Sequence, residues 1–240
     1  MKNKKAEQIV REYVSMQFPE SRVVLMAGSI ARGDAVAGAG SDIDVIIVDD
    51  SQELPFKKSE WFEERLMESF IVTRRSLRYF FEQSKQNALP SMLRMIIDGQ
   101  IIRDDGTVLH LKQAAVRWME HGPAEWSFDE MNQIRYEISE YLDDLHQNRP
   151  FGENVFIMSR LCTLLPQFIL RTRDKWTGDG KWQYRMLKQA DEELSKRFVL
   201  ALQELFQTQN PGMLVQLAEE LLEPYGGRLY EGVFYSSFSE

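Results

Sequence analysis

The chain has 240 residues, of which 43% are hydrophobic and 28% charged, a composition typical of one or two globular domains. It contains no run of about 18 apolar residues, which excludes a membrane-spanning helix. The lysine-rich start at residues 2–5 is not followed by the apolar core of a signal peptide. A single cysteine, Cys162, excludes an internal disulfide, and three scattered histidines argue against a histidine-built zinc site. We therefore expect a cytoplasmic protein.

The charge is unevenly distributed along the chain. Residues 1–121 hold 17 Lys and Arg against 18 Asp and Glu, a net charge of −1, and residues 122–240 hold 12 against 19, a net charge of −7. An acidic protein is a poor partner for nucleic acid, because non-specific binding to phosphates requires cationic surface. An acidic half can instead attract a cationic ligand, or it can do no more than keep the protein soluble.

The first half of the chain alternates strand-like and helix-like segments. In chain order, hydrophobic periodicity predicts a helix over 4–18, a strand over 22–27, a helix that starts at the Gly28-Ser29 turn, strands over 42–48 and 65–73, helices over 76–86 and 90–98, a short strand over 100–103 and a helix over 108–120. This alternation predicts an α/β (α+β) domain over residues 1–121.

After Pro123 the pattern changes to helices alone. They are predicted over 127–147, 153–173, 181–207 with a break near residues 190–191, and 211–223. Ser127 followed by Glu130 three residues later is a capping box that begins the first of them. The second half, residues 122–240, is therefore predicted to be an all-helical bundle.

A phosphate cradle is predicted where the first strand ends. Gly28-Ser29 follows the apolar run of that strand and opens a helix, so backbone N–H groups and the Ser29 hydroxyl can hold a phosphate. Glycine lets the backbone approach such a ligand closely. A Gly-Ser turn on its own is a weak signal, so its meaning depends on the residues that come after it in the chain.

Three acidic residues occur on the next strands. Asp42 and Asp44 are two positions apart, which places both carboxylates on one face of a strand. Side by side they repel one another, and a hard divalent cation such as Mg²⁺ removes that repulsion. Glu68 lies within an apolar strand, where a lone acid is costly without a partner, so it is the candidate third ligand of a two-metal site.

The order of these features resembles the nucleotidyltransferase superfamily of DNA polymerase beta, in which Gly-Ser precedes Asp-x-Asp and a third acid. Here Asp42 begins the Asp-x-Asp motif thirteen residues after Ser29, and the motif resemblance covers residues 22–73. The Gly-Ser-x-Ala-Arg-Gly form is similar to the small-molecule branch, which includes the aminoglycoside nucleotidyltransferases. The resemblance implies a small mixed sheet flanked by helices, a helical C-terminal domain, and transfer of a nucleoside monophosphate with Mg²⁺.

The resemblance also implies roles for particular residues. Asp42, Asp44 and Glu68 are expected to hold two Mg²⁺ ions. The triphosphate-binding candidates are Gly28, Ser29, Arg32 and Ser41. Arg32 is equally well explained as a surface salt bridge.

Softer candidates lie in the second half. Glu137, Glu140 and Asp144 share one helix face, where like charges repel unless a cation lies nearby. By similarity to two-domain aminoglycoside enzymes, Glu137 or Glu140 is a candidate general base, and a solvated helix face is the alternative interpretation. Lys181, after a glycine-bracketed turn, is a candidate triphosphate ligand.

The sequence thus predicts a magnesium-dependent enzyme that transfers AMP from ATP, or another nucleotide, to the hydroxyl of a small acceptor. A cationic acceptor such as an aminoglycoside fits the acidity of the second half. Two alternatives stay open: a protein-modifying adenylyltransferase of the antitoxin type, and a nucleotide-binding protein without catalysis. The sequence does not indicate the oligomeric state.

Overall fold

The computed structural model describes residues 5–33, 42–145 and 149–232. The chain divides into two compact units, one that ends at Gly122 and one that begins at Pro123. The predicted boundary between residues 121 and 122 lies one residue from this division. Each unit has its own apolar core.

Within the described residues, five strands of the first unit form one mixed sheet. They are β1 (Val23–Ala27), β2 (Ile43–Val48), β3 (Phe56–Phe62), β4 (Arg65–Val72) and β5 (Gln100–Arg103), in the spatial order β3-β4-β2-β1-β5. The central pair, β2 and β4, is parallel, whereas β1 pairs antiparallel with both β2 and β5, and β3 pairs antiparallel with β4. Every residue of β1 is buried, as its apolar sequence predicts for an interior strand.

Helices cover the sheet. Those described in this unit are α1 (Ala6–Gln17), α2 (Gly28–Ala31), α3 (Arg74–Asn87), α4 (Ser91–Asp98) and α5 (Val108–His121). The core between α1 and the sheet contains Tyr13 of the helix and Ile43, Val45 and Met67 of the strands. Since side chains alternate along a strand, the residues between these positions project from the opposite face of the sheet.

Strand β3 was not predicted. Its sequence places two lysines and a glutamate among aromatic residues. It is an outermost strand of the sheet, and exposed and half-buried positions alternate along most of it. The hairpin to β4 turns at Glu63 and Glu64, both with positive φ (46° and 63°). Turns of this kind usually carry Asn-Gly or Asp-Gly, so the sequence lacks the normal hairpin signal.

The described part of the second unit is helical. Its elements are α6 (Phe128–Asp144), α7 (Phe151–Arg171), α8 (Lys181–Ala190), α9 (Glu192–Thr208), α10 (Gly212–Leu222) and a 3-10 turn (Glu223–Tyr225). The capping box at the start of α6 is confirmed: the Ser127 side chain accepts from the Glu130 backbone N–H, and Glu130 accepts from the Ser127 backbone. The predicted break near residues 190–191 is also confirmed, because Asp191 ends α8 and caps α9.

Buried side chains from all five helices form one apolar core, with Leu161, Leu165 and Phe168 of α7 fully or almost fully buried. Among the described residues, no helix is both long enough and apolar enough to cross a membrane. This agrees with the absence of a long apolar run in the sequence.

Candidate active site

Gly28 and Asp44 lie close together at the end of the sheet where β1 stops and β2 starts, which we call the sheet edge. Antiparallel pairing sets Ala27, the last residue of β1, opposite Asp44 of β2, so the next residue, Gly28, lies against the Asp44 side chain. A Cβ built on Gly28 would collide with the carboxylate of Asp44, and it would lie 2.7 Å from the Cγ atom. Gly28 also has a φ of +71°, a conformation that side chains disfavour. Both conditions reserve this position for glycine.

Strand register brings the third acid to the same place. In the parallel pair β2–β4, Asp44 lies directly opposite Glu68, so both side chains project from the same face of the sheet. That face is the one opposite α1, because Ile43 and Met67, the preceding residues, point into the core beneath the helix. Asp42 lies just outside β2 and is exposed, whereas Asp44 and Glu68 are half-buried.

The surroundings of this cluster disfavour the ionised form of Asp44. Burial raises the pKa of Asp44 to about 6, and repulsion from the carboxylates of Asp42 and Glu68 adds to this effect. The nearby cations Lys57 and Arg32 offset it in part. A divalent cation at the two aspartates would remove the repulsion that raises the pKa.

A lysine that the sequence did not single out completes the cluster. The ammonium of Lys57, on β3, lies 3.0 Å from Oε2 of Glu68. No three Asp, Glu, His or Cys side chains in residues 5–33, 42–145 and 149–232 are grouped so that they could hold a metal ion. Sequence patterns did not indicate Lys57, because they did not predict β3, the strand that carries it.

Three candidate phosphate-binding residues of the first unit remain: Ser29, Arg32 and Ser41. Ser29 lies in α2, which is a single turn, and is half-buried. Arg32 follows α2 directly, and its charge lowers the pKa of Asp44 slightly. Ser41 lies outside the described residues.

The candidate bases lie on α6 in the second unit, and each has a partner. Arg160 of α7 is 3.7 Å from Glu137, and the hydroxyl of Tyr136 donates to Glu140 at 2.8 Å. Asp144, on the same face, lies 2.9 Å from Arg149. The like charges of this face are therefore interleaved with arginines, which the helix periodicity could not reveal because those arginines lie beyond the helix.

Lys181 is the first residue of α8 and is exposed. The turn before it is tight: Gly180 has a φ of +52°, and a Cβ on Gly178 would lie 2.5 Å from the carbonyl carbon of Trp182. The predicted glycine-bracketed turn therefore exists. Its glycines are explained by the turn geometry alone.

No protein-family model matches the chain, and no curated protein matches it. Among solved structures, the chain is similar to a nucleotidyltransferase-like protein from Exiguobacterium sibiricum 255-15. The TM-score is 0.48 and the sequence identity 13%, over 92% of this chain and 75% of that chain. A likeness at this level decides neither fold nor activity.

Proposed function

We propose that the chain is a magnesium-dependent nucleotidyltransferase of the DNA polymerase beta superfamily that transfers AMP from ATP to the hydroxyl of a small acceptor. The observation that carries this proposal is the meeting of Gly28, Asp44 and Glu68 at one sheet edge, where no side chain fits beside the Asp44 carboxylate. A glycine backbone next to a half-buried acid suits a ligand that contains both a phosphate and a cation.

Magnesium fits the donor set. Asp42 and Asp44 offer hard oxygen ligands, and the raised pKa of Asp44 shows that burial and the neighbouring acids disfavour its charged form, which a bound cation would stabilise. When bound there, the ion would neutralise charge on the triphosphate and polarise the α-phosphate. Gly28 and Ser29 would hold the triphosphate through backbone N–H groups and a hydroxyl. Arg32, whose charge reaches the cluster, and Ser41 are the further candidates for the phosphates, and Lys181 is a candidate from the second unit.

The reaction is a displacement at the α-phosphorus. A bond forms between the acceptor oxygen and the α-phosphorus as the bond from that phosphorus to the bridging oxygen breaks, and its electron pair leaves with pyrophosphate. The hydroxyl proton passes to a carboxylate base. Glu137 and Glu140 remain the candidates for that base.

The acceptor is proposed to be small, hydroxyl-bearing and cationic, as in an aminoglycoside. The net charge of −7 over residues 122–240 supports a cation. The arginines that pair with Glu137 and Asp144 weaken that support, because part of the acidic surface is already neutralised within the protein.

The test is a screen for pyrophosphate release. The protein is incubated with Mg²⁺, each of the four ribonucleoside triphosphates in turn, and a panel of hydroxyl compounds that includes aminoglycosides and neutral sugars. Mass spectrometry then identifies the modified acceptor. Release that requires both Mg²⁺ and one acceptor class supports the proposal. Nucleotide attached only to protein, in a parallel incubation that contains a protein mixture, would move the acceptor to the protein class. Failure of the chain to bind any nucleoside triphosphate with Mg²⁺ would contradict the proposal.

A further inference from the structure

The Lys57 side chain is held at the acidic cluster by two contacts. Its ammonium lies 3.0 Å from Oε2 of Glu68 and 5.0 Å from the ring centroid of Phe70. Lys57 pairs with Phe70 across β3 and β4, and Ser59 pairs with Glu68, so the lysine and the glutamate share a face on neighbouring strands. Strand register, and not chance proximity of long side chains, therefore brings this cation to the third acid.

The strand order gives the cluster two distinct sides. Gly28 follows β1, and the order β1-β2-β4-β3 places Asp44 next, then Glu68, then the strand of Lys57. A triphosphate at Gly28 leaves the β3 side for the group that attacks, because attacking and leaving oxygens lie in line on opposite sides of the phosphorus. Lys57 thus lies on the acceptor side of Asp44.

The positive charge of Lys57 already acts where a second metal ion would bind. Its ammonium lies 3.0 Å from Oε2 of Glu68, and Glu68 lies directly opposite Asp44 in the strand register, so the charge is beside one acid and one strand away from the other. An ion between Asp44 and Glu68 would have to displace the ammonium from Glu68 and then lie beside it.

We propose that Lys57 supplies the second positive charge of the site, so that the enzyme takes one divalent ion instead of two. Asp42 and Asp44 hold that ion with the triphosphate, and Glu68 positions the lysine instead of ligating metal. The Lys57 ammonium then donates to the acceptor side of the α-phosphate, where negative charge increases as the new bond forms. This inference rests on the proposed function, and it assigns to a residue of the chain the place of the second Mg²⁺ ion that the sequence resemblance implies.

The test counts metal ions. Mn²⁺ is titrated into the full chain mixed one-to-one with an ATP analogue that has a methylene bridge between the α- and β-phosphates, and free Mn²⁺ is measured by electron paramagnetic resonance. The wild-type complex is expected to bind one ion per chain. Lys57→Met should bind two, because Glu68 is released to act as a ligand, and Lys57→Met combined with Glu68→Gln should return to one. Lys57→Arg keeps the charge and should stay at one.

Lys58→Met is the matched control. Lys58 is the next residue along β3, and its ammonium is 2.6 Å from Glu60, so the variant removes the same charge and breaks an equivalent ion pair. Side chains alternate along a strand, which places Lys58 on the opposite face, and the count should stay at one. Melting temperatures of all variants check that each remains folded.

Two ions in the wild type, or one ion in Lys57→Met, would overturn the role of Lys57 and leave the transferase proposal standing. No binding of the analogue with Mn²⁺ by the wild type would overturn the transferase proposal, and the role of Lys57 with it. The two failures are therefore distinguishable in one titration series.

Discussion

Two groups of acidic residues in this protein have the same chemistry and opposite surroundings. At the sheet edge, register forces Asp44 and Glu68 side by side and half-buried, and the pKa of Asp44 rises to about 6. On α6, by contrast, Glu137 and Asp144 each face an arginine. Lys57 pairs with Glu68 at the sheet edge as well, yet burial and the neighbouring acids still raise the pKa of Asp44, so this cluster is the one prepared for an external cation. The comparison therefore favours the sheet edge, and not the more acidic helix face, as the place for the proposed Mg²⁺.

The largest expected effect comes from neutralising the sheet-edge acids. Asp42→Asn or Asp44→Asn should lower kcat/KM for nucleotide transfer by about a thousandfold or more, since a metal that stabilises transition-state charge is worth several kcal/mol. Glu53→Gln, an exposed acid after β2, removes the same charge from the chain and should leave kcat/KM unchanged. Pyrophosphate release under saturating Mg²⁺ measures all three. Substantial activity in Asp44→Asn would show that the acids have been assigned to the wrong role.

The second prediction concerns the space beside Asp44. Gly28→Ala should lower the free energy of unfolding by about 2–5 kcal/mol, because a positive φ costs about 1–2 kcal/mol and overpacking about 1–3 kcal/mol more. Gly33→Ala is the matched control: its φ is +66°, and within the described residues no atom lies within 4 Å of a Cβ built there. Denaturant unfolding of both variants isolates the collision with the carboxylate. Equal losses would mean that Asp44 moves aside freely and that the contact has no energetic weight.

Much of the first unit could be predicted from sequence, since strands β1, β2 and β4 are apolar runs bounded by polar residues. The sequence also indicated Gly28, Asp42, Asp44 and Glu68 as a set. It could not indicate that Gly28 touches Asp44 or that Glu68 lies opposite Asp44, because both facts depend on strand pairing between distant segments. The assignment of these residues to phosphate and metal stays a prediction.

The features that the sequence did not reveal have identifiable physical causes. Strand β3 lacks both an alternation of apolar residues and a hairpin turn signal, so the sequence pattern indicated neither the strand nor Lys57 on it. On α6 the spacing of the acids was clear, yet the arginine that pairs with Glu137 comes from α7. Spacing along one helix predicts repulsion, and only packing between helices reveals its compensation.

The third prediction uses the pH dependence of the metal-free protein. The pKa of Asp44 is about 6 when folded, above the ordinary value of 3.8 for an aspartate, so the folded state binds more protons than the unfolded state between these pH values. Stability from this group is therefore present below about pH 4 and is lost as pH rises through about 6. In EDTA, Asp44→Asn should lack this slope and exceed the wild type above pH 6 by at most about 3 kcal/mol, the equivalent of about two pKa units. Added Mg²⁺ should stabilise the wild type and not the variant, and a wild type that gains stability from pH 4 to 7 relative to Asp44→Asn would contradict the sign.

The smallest effect is expected on the compensated side of the comparison. Glu137→Gln removes one partner of an ion pair in which the Arg160 side chain is 53% exposed, and such pairs contribute less than about 1 kcal/mol. Its free energy of unfolding should therefore stay close to the wild type at pH 5 and at pH 8, with or without Mg²⁺. Glu140→Gln is the paired variant. It removes the charge of the Glu140 carboxylate, whose oxygen accepts a hydrogen bond from the Tyr136 hydroxyl. Because both changes are expected to leave stability nearly intact, a fall in kcat can be attributed to chemistry. A general base contributes about 100-fold or more to kcat. The variant that loses this factor at unchanged KM therefore identifies the base. If neither does, the proton acceptor lies elsewhere, and the acids of α6 serve only as the charged surface of their helix.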